Sequence, residues 1–288
     1  MTKTWPALEV EALKQPDLLQ AALVDFRVAA IDETTQPGAW RIYFASEGDR
    51  DTAAKALARQ FPDLALRPLD VPDEDWVARS QATLRAIQIG AVIVAPPWDV
   101  PHTGHLKPLT LAEAGATGLM RPLVIVIRPS MGFGTGHHAT TRLCLTALQQ
   151  LDARKRSVVD VGTGSGLLAI AASRLGAARV VGLDDDPNAL HAATENLALN
   201  RAADVTLRAG DLRSTTPEPF DIVMANLTGA LLRDGAARLR DLTGPGAHLI
   251  LSGFMRSEEA DVLAPYADLM VRSRTEEAEW LCVTLGRP

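Results

Sequence analysis

The clearest chemistry in this chain lies at Gly162-Thr163-Gly164-Ser165-Gly166. The stretch follows the β-branched run Ser157 to Val161 and precedes an Ala- and Leu-rich run, Leu167 to Leu175, so it reads as a strand-to-helix turn. Glycines there, Gly162 and Gly164 first among them, let a ligand approach the backbone and meet the free amides of a helix N-terminus. A second run, Arg179 to Leu183, ends in Asp184 about 20 residues further on, where a carboxylate accepts hydrogen bonds from both hydroxyls of a ribose. Asp160, at the end of the preceding strand, points the same way. The pattern G-x-G-x-G is not the G-x-G-x-x-G that seats a dinucleotide pyrophosphate, and there is no G-x-x-x-x-G-K-[ST] phosphate loop. A nucleoside without phosphates fits; a tight turn and nothing more is the competing reading.

Asn226 closes another predicted strand, Phe220 to Ala225, at the edge where ligands of open α/β folds collect. Its amide oxygen could accept a hydrogen bond from an attacking amine and aim the nitrogen lone pair, which makes it the candidate catalytic residue. A turn residue opening a helix is the alternative. No dedicated base stands out. His102 with His105, and His137 with His138, invite a metal reading. No cysteine lies near and Asp99 alone does not complete a ligand set, so solvent-facing loop histidines and no metal are expected.

The elements that position these residues fall into two groups. Strand-like Ala7 to Ala12, a helical run from Asp17 to Arg27, a hairpin of residues 30–34 and 39–45 turning at Pro37-Gly38, a helix over Asp51 to Gln60 and a strand over Leu64 to Leu69 give the order β-α-β-β-α-β. That is a ferredoxin-like α+β domain, expected over residues 1–71. Residues 72–100 read as a linker helix, opened by Pro72-Asp73-Glu74-Asp75, and connecting strands at 87–98. The remainder, 101–288, begins with a Pro- and Gly-punctuated stretch to residue 122. From Leu123 onward β-branched runs alternate with helical ones, the rhythm of a mostly parallel sheet covered on both faces. Trp5, Trp40, Trp76 and Trp98 are expected as core or domain-contact anchors.

With 47% hydrophobic and 22% charged residues over 288 positions, the composition is globular, which excludes a mainly disordered or collagen-like chain. A net charge of −6 argues against a broad cationic surface for nucleic acid and is compatible with a basic protein partner. No apolar run approaches the ~20 residues of a membrane helix, and Met1 to Pro6 lacks a signal-like apolar core, so no membrane association and a cytoplasmic location are expected. Cys144 and Cys282 are too few for a disulfide framework.

Taken together, the glycine loop and Asp184 resemble the class I S-adenosylmethionine-dependent methyltransferases. The resemblance implies a Rossmann-like α/β sheet and S-adenosyl-L-methionine as cofactor. Asp211, after Ala209-Gly210, falls where many of those enzymes contact the adenine; an exposed strand-end acid is the alternative. Gly132-Phe133-Gly134-Thr135-Gly136-His137-His138-Ala139-Thr140-Thr141, Asp221 to Leu227 and Glu279 to Thr284 are similar, more narrowly, to the ribosomal protein L11 methyltransferase (PrmA) family, as are Asp73 to Trp76, Pro97-Trp98 and the small N-terminal domain. That likeness spans nearly the whole chain.

By carry-over it gives Phe133 and Thr141 cofactor-binding roles beside Gly162, Gly164, Asp184 and Asn226. Thr140 as the cap of a helix from Arg142 to Leu151 is the bland alternative for the threonine pair. The resemblance also implies a protein N-methyltransferase acting on lysine ε-amines, and on an N-terminal α-amine as a further target, of a large-subunit ribosomal protein docked by the N-terminal domain. Methylation of another protein or a small amine, and a silent module that binds without transferring, stay open. Arg128-Pro129-Ser130 stands where the family pattern has Asp-Pro-Gly, His138-Ala139-Thr140-Thr141 where it has His-Pro-Thr-Thr, and Asn226-Leu227-Thr228 replaces the more usual Asn-Ile-Leu. These departures surround the expected pocket mouth and bear on the choice of substrate.

Overall fold

The computed structural model describes residues 4–11, 19, 23, 26, 28–36, 39–72, 84–102, 106–129, 136–214, 216 and 218–288. Two compact units divide the chain, Met1–Thr83 and Leu84–Pro288.

In the first unit, β1 (Thr4–Glu11), β2 (Val28–Gln36), β3 (Ala39–Phe44) and β4 (Ala65–Pro72) form an antiparallel sheet in the order β2-β3-β1-β4, with α1 (Glu47–Gln60) between β3 and β4. This is the ferredoxin-like strand order. Period-2 alternation divides the side chains: Leu8, Val10, Trp40, Ile42 and Phe44 pack with Ala53 and Leu57 of α1, whereas Ala7, Tyr43 and Val71 face the other way. Leu19 and Leu23 are helical and buried in the larger cluster; most of the helix expected over Asp17 to Arg27 lies outside the described residues. Ser46 starts α1 by accepting the Asp49 amide at 3.2 Å. Glu9 is buried on the sheet between Arg41 and Arg67, whose guanidinium hydrogen bonds hold its carboxyl below the usual range. The predicted Pro37-Gly38 turn and Asp73 to Thr83, including Trp76, lie outside the described residues.

The second unit contains two sheets. β5 (Ile87–Ile89), β6 (Val92–Ala95) and β7 (Leu123–Val126) form a small one, β5 antiparallel and β7 parallel to β6. The sequence reading enters the main sheet at Leu123; the structure instead pairs that strand with β6, because a β-branched run does not specify its neighbour. Between β6 and β7 the described part of the stretch expected to be irregular contains a helical turn, α2 (Leu111–Ala114), continued by a 3-10 turn at Gly115–Thr117, and leaves Trp98, Val100 and Met120 exposed. Trp98 is thus no core anchor, unlike Trp40.

The main sheet begins at β8 (Ser157–Val161) and continues with β9 (Arg179–Asp184), β10 (Val205–Ala209), β11 (Phe220–Asn226), β12 (Thr243–Met255), β13 (Met270–Glu277) and β14 (Trp280–Gly286). Their order is β10-β9-β8-β11-β12-β14-β13, parallel from β10 through β12, with β14 antiparallel to both neighbours. Helices α3 (Ala139–Gln150), α4 (Leu167–Arg174), α5 (Pro187–Asn200), α6 (Gly229–Asp234), α7 (Ala236–Leu242) and α8 (Glu259–Leu263) complete the unit. Val158, Ile222 and Met224 pack with α3 and α4 on one face, while Val159, Val161, Val223 and Ala225 pack with α7 and Val262 of α8 on the other. Burial on both faces is why these strands are almost uninterrupted apolar runs. Chain order runs one way from β8 to β10 and the other way from β11 to β12. The reversal between β8 and β11 is where ligands of open α/β sheets bind, outside the carboxyl ends.

Candidate functional site

Gly162, Gly164 and Gly166 all lie in the left-handed region, with φ of +72°, +53° and +81°. The turn is fastened to the end of β9: the amides of Gly162 and Thr163 donate to the Leu183 carbonyl at 2.8 and 3.0 Å. A Cβ on Gly162 would displace the Cδ2 methyl of Leu227 as well as strain the backbone. Asp184 Oδ2 accepts the Gly164 amide at 2.8 Å and Oδ1 accepts the Asp186 amide at 3.0 Å. A carboxylate offers about four acceptor sites, so each oxygen keeps one for an incoming hydroxyl. The two groups singled out by spacing, loop and acid, are therefore in direct contact.

Asp160 stands beneath the loop, 1% exposed. Its Oδ2 accepts Thr163 Oγ1 at 2.7 Å and the Ala169 amide at 3.2 Å, which places a carboxylate at the N-terminus of α4. Its Oδ1 is buried without a hydrogen-bond partner. Burial, more than the repulsion from Asp184, pushes this carboxyl up to about 6. An orphaned acceptor under a glycine cradle fits a ligand that brings a donor or a positive charge.

Across the switch point, β11 ends at Asn226, paired in register with Ser252 of β12. Asn226 Nδ2 lies 3.4 Å from Thr141 Oγ1, which is buried in the first turn of α3. The structure thus brings Thr141 and Asn226 together from positions far apart in sequence. His138, not Thr140, caps α3: its ring accepts the Thr140 amide, and the helix starts at Ala139. Burial lowers the His138 pKa, with the Arg142 charge acting in the same direction, and this keeps the ring able to accept. Arg142 ties this helix start to the sheet, donating to Glu277 at 3.0 and 3.1 Å and to the His137 carbonyl.

Two features here had no role assigned from the sequence, although Trp280 lies in one of the family-like stretches. Trp280 meets His138 edge-on at 4.9 Å between centroids, an aromatic wall at the same end of the sheet. Gly253, at φ +95°, forms a bulge between Ser252 and Phe254. A Cβ there would overlap the Leu227 carbonyl oxygen and lie 2.8 and 2.9 Å from Leu227 C and N. The Leu227 amide donates to the Ser252 carbonyl at 3.0 Å, so the chain leaving Asn226 is pressed against this bulge.

Asp211 follows the Gly210 amide that bonds the Asp184 carbonyl, so it sits beside the end of β9. Its carboxylate accepts the Arg213 amide and guanidinium, which hold it below the usual carboxylate range. Phe133 and His105 lie outside the described residues. Among the described residues no cluster of three His, Cys, Asp or Glu side chains could hold a metal, and no helix is long and apolar enough to cross a membrane.

A family model described as ribosomal protein L11 methyltransferase (PrmA) matches residues 29–288. The ribosomal protein L11 methyltransferase of Myxococcus xanthus (strain DK1622) is 34% identical over 249 residues, 85% of this chain and 80% of that protein. Its counterpart in Deinococcus radiodurans is 37% identical over 232 residues, 75% of this chain and 78% of that protein. The crystal structure of the ribosomal protein L11 methylase from Lactobacillus delbrueckii subsp. bulgaricus superposes with a TM-score of 0.61 at 26% identity, covering 71% of this chain and 99% of that one. Matched by that family model over most of its length and more than 30% identical to relatives it covers by over three quarters, the chain belongs to the ribosomal protein L11 methyltransferase family.

Proposed function

We propose that this protein is an S-adenosyl-L-methionine-dependent N-methyltransferase that modifies lysine ε-amines of ribosomal protein L11, with the N-terminal α-amine as a further target. The observation that carries the reading is the direct contact of Asp184 with the Gly164 amide at the switch point, one strand away from Asn226. When bound, the cofactor supplies a methyl group made electrophilic by its sulfonium. Asp184 has acceptor sites for the ribose hydroxyls, Gly162 and Gly164 leave the backbone open to the nucleoside, and Asp160 Oδ1 offers a buried acceptor for a cationic group. Asp211 beside the end of β9, Thr141 on α3 and Phe133 complete the proposed binding set.

For the substrate amine the cost is deprotonation. A lysine of pKa near 10.4 is about a thousandth neutral at pH 7.4, which costs roughly 4 kcal/mol, against roughly 1 kcal/mol for an α-amine near 8. Asn226 Nδ2 is turned to Thr141, which leaves its amide oxygen to accept an N–H of the amine and orient the lone pair. Catalysis is by alignment and acceptor carbonyls, with no metal. The first unit serves as the substrate-recognition domain, and the chain works in the cytoplasm without binding nucleic acid directly, consistent with its net charge of −6.

Incubation with methyl-labelled cofactor and undermethylated ribosomes, followed by mass spectrometry, tests this reading. Label on L11 lysines is expected; label confined to another protein, or cofactor binding with no transfer, defeats it. Asp184→Ala is expected to weaken cofactor affinity by about tenfold to a hundredfold, the scale of one or two charge-assisted hydrogen bonds. Asn226→Ala is expected to act mainly on turnover, lowering kcat by about a hundredfold through lost orientation, with a smaller loss of cofactor affinity than Asp184→Ala. Calorimetric affinities that do not separate the two variants would contradict these roles.

A further inference from the structure

Two buried asparagines on α5 have no place in the chemistry above. Asn196 is fully buried and Asn200 is 4% exposed, one turn apart on the face that carries Ala193. Asn200 pairs with the outer edge of β7 as another strand would: its Oδ1 accepts the Val126 amide at 2.8 Å and its Nδ2 donates to the Val126 carbonyl at 2.6 Å. Asn196 Oδ1 accepts the next outward amide, Arg128, at 2.8 Å. The difference is in the other half of the amide: Asn200 Nδ2 reaches otherwise only the Asn196 carbonyl within α5, at 2.8 Å, whereas Asn196 Nδ2 donates to the Ser165 carbonyl of the glycine loop at 2.9 Å.

Ala193 supports the same loop from behind, its Cβ 3.2 Å from where a Cβ on Gly166 would lie. The unit formed by β9 and α5 therefore grips the loop twice: Asp184 takes the Gly164 amide on the ligand side, and Asn196 takes the Ser165 carbonyl on the far side. Three residues of the turn have positive φ, so its shape is not one that a chain holds by local preference. It needs fastening on both sides.

We infer that Asn196 is a positioning residue for the cofactor: by fixing the Ser165 carbonyl it holds the glycine loop in the shape that receives the nucleoside, whereas Asn200 serves the fold alone. The inference rests on the cofactor assignment proposed above. A matched pair of variants separates the two roles. Asn196→Asp keeps the acceptor for Arg128 N and turns an oxygen against the Ser165 carbonyl; Asn200→Asp keeps the acceptor for Val126 N and turns an oxygen against the Val126 carbonyl. Both are expected to lower the ligand-free Tm, since each places a carboxylate against a buried carbonyl. Calorimetry with S-adenosyl-L-methionine, at a temperature where circular dichroism shows both variants folded, is expected to give a Kd raised about tenfold for Asn196→Asp and within about twofold of wild type for Asn200→Asp. Should either fail to fold, Asn196→Ala and Asn200→Ala make the same comparison without the added charge. Equal affinities in the two variants, whether both native or both weakened alike, overturn the inference. Failure of the wild type to bind would defeat the cofactor assignment and this inference with it, and is told apart by needing no variant.

Discussion

Gly253→Ala is expected to lower methyl transfer sharply and to destabilise the protein, while Gly246→Ala is expected to leave activity intact. Both glycines lie in the left-handed region, at φ +95° and +71°, so both substitutions carry the roughly 1–2 kcal/mol that a Cβ costs there. Their surroundings differ. Around Gly246 nothing lies within 4 Å of the added carbon, so the backbone strain is the whole effect. At Gly253 the carbon meets three backbone atoms of Leu227, which cannot rotate away as a side chain end would. The bulge or the segment after Asn226 must move, and overpacking of this kind costs about 1–3 kcal/mol more. Denaturant unfolding measures the stability difference between the variants, and the labelling assay under conditions where both are folded measures activity. Equal turnover in the two would show that the approach of Leu227 to the bulge does not set the position of Asn226.

The second large effect is in pH dependence. Asp160 has its folded pKa raised to about 6 from an ordinary value of 3.8, through burial. A raised acid favours the folded state only while protonated, so its contribution is complete below about pH 4 and is lost as pH rises through about 6. The ionised carboxylate at pH 7 therefore costs about 3 kcal/mol of stability in the ligand-free protein. Asp160→Asn keeps an oxygen for Thr163 and Ala169 and has no charge to bury. The stability of this variant relative to wild type is expected to increase by about 3 kcal/mol between pH 4 and pH 7. A difference that stays flat over that range, in urea unfolding without ligand, would contradict the assignment. A cation or donor brought to Oδ1 favours the ionised form, so cofactor affinity in wild type should strengthen as pH rises through 6, and the variant should lose that dependence.

The parts of the site that were legible in the sequence are the local ones. A strand, three glycines and a helix in succession leave the turn at Gly162 little choice, and Asp184 and Asn226 mark strand ends by the same rule. What the sequence hides is pairing between distant segments. Leu123 to Val126 has the composition of a main-sheet strand, yet its partner is β6, thirty residues earlier rather than thirty later. The Asn226–Thr141 contact depends on α3 packing against β11; the family likeness gave each residue a pocket role, and no spacing revealed that they touch. His138 displaced Thr140 as the cap because an imidazole nitrogen accepts an amide as well as a hydroxyl does, an option cap preferences underrate. Gly253 reads as an interruption in a strand, and only the Leu227 backbone beside it explains why no side chain is there. Asn196 and Asn200 have the spacing of an ordinary solvent-facing helix stripe, and only the bare edge of β7 turns them inward.

That edge has one more consequence. Along β7 and the two residues after it, the amides of Leu123 and Ile127 point to β6 and its flanks, while those of Val126 and Arg128 point outward. Asn200 and Asn196 occupy those outward groups with side chains, which offer no further ladder to a newcomer. The C-terminal half of this flank is thereby closed to templated growth, a protection against aggregation built from two amides instead of a charge or a proline.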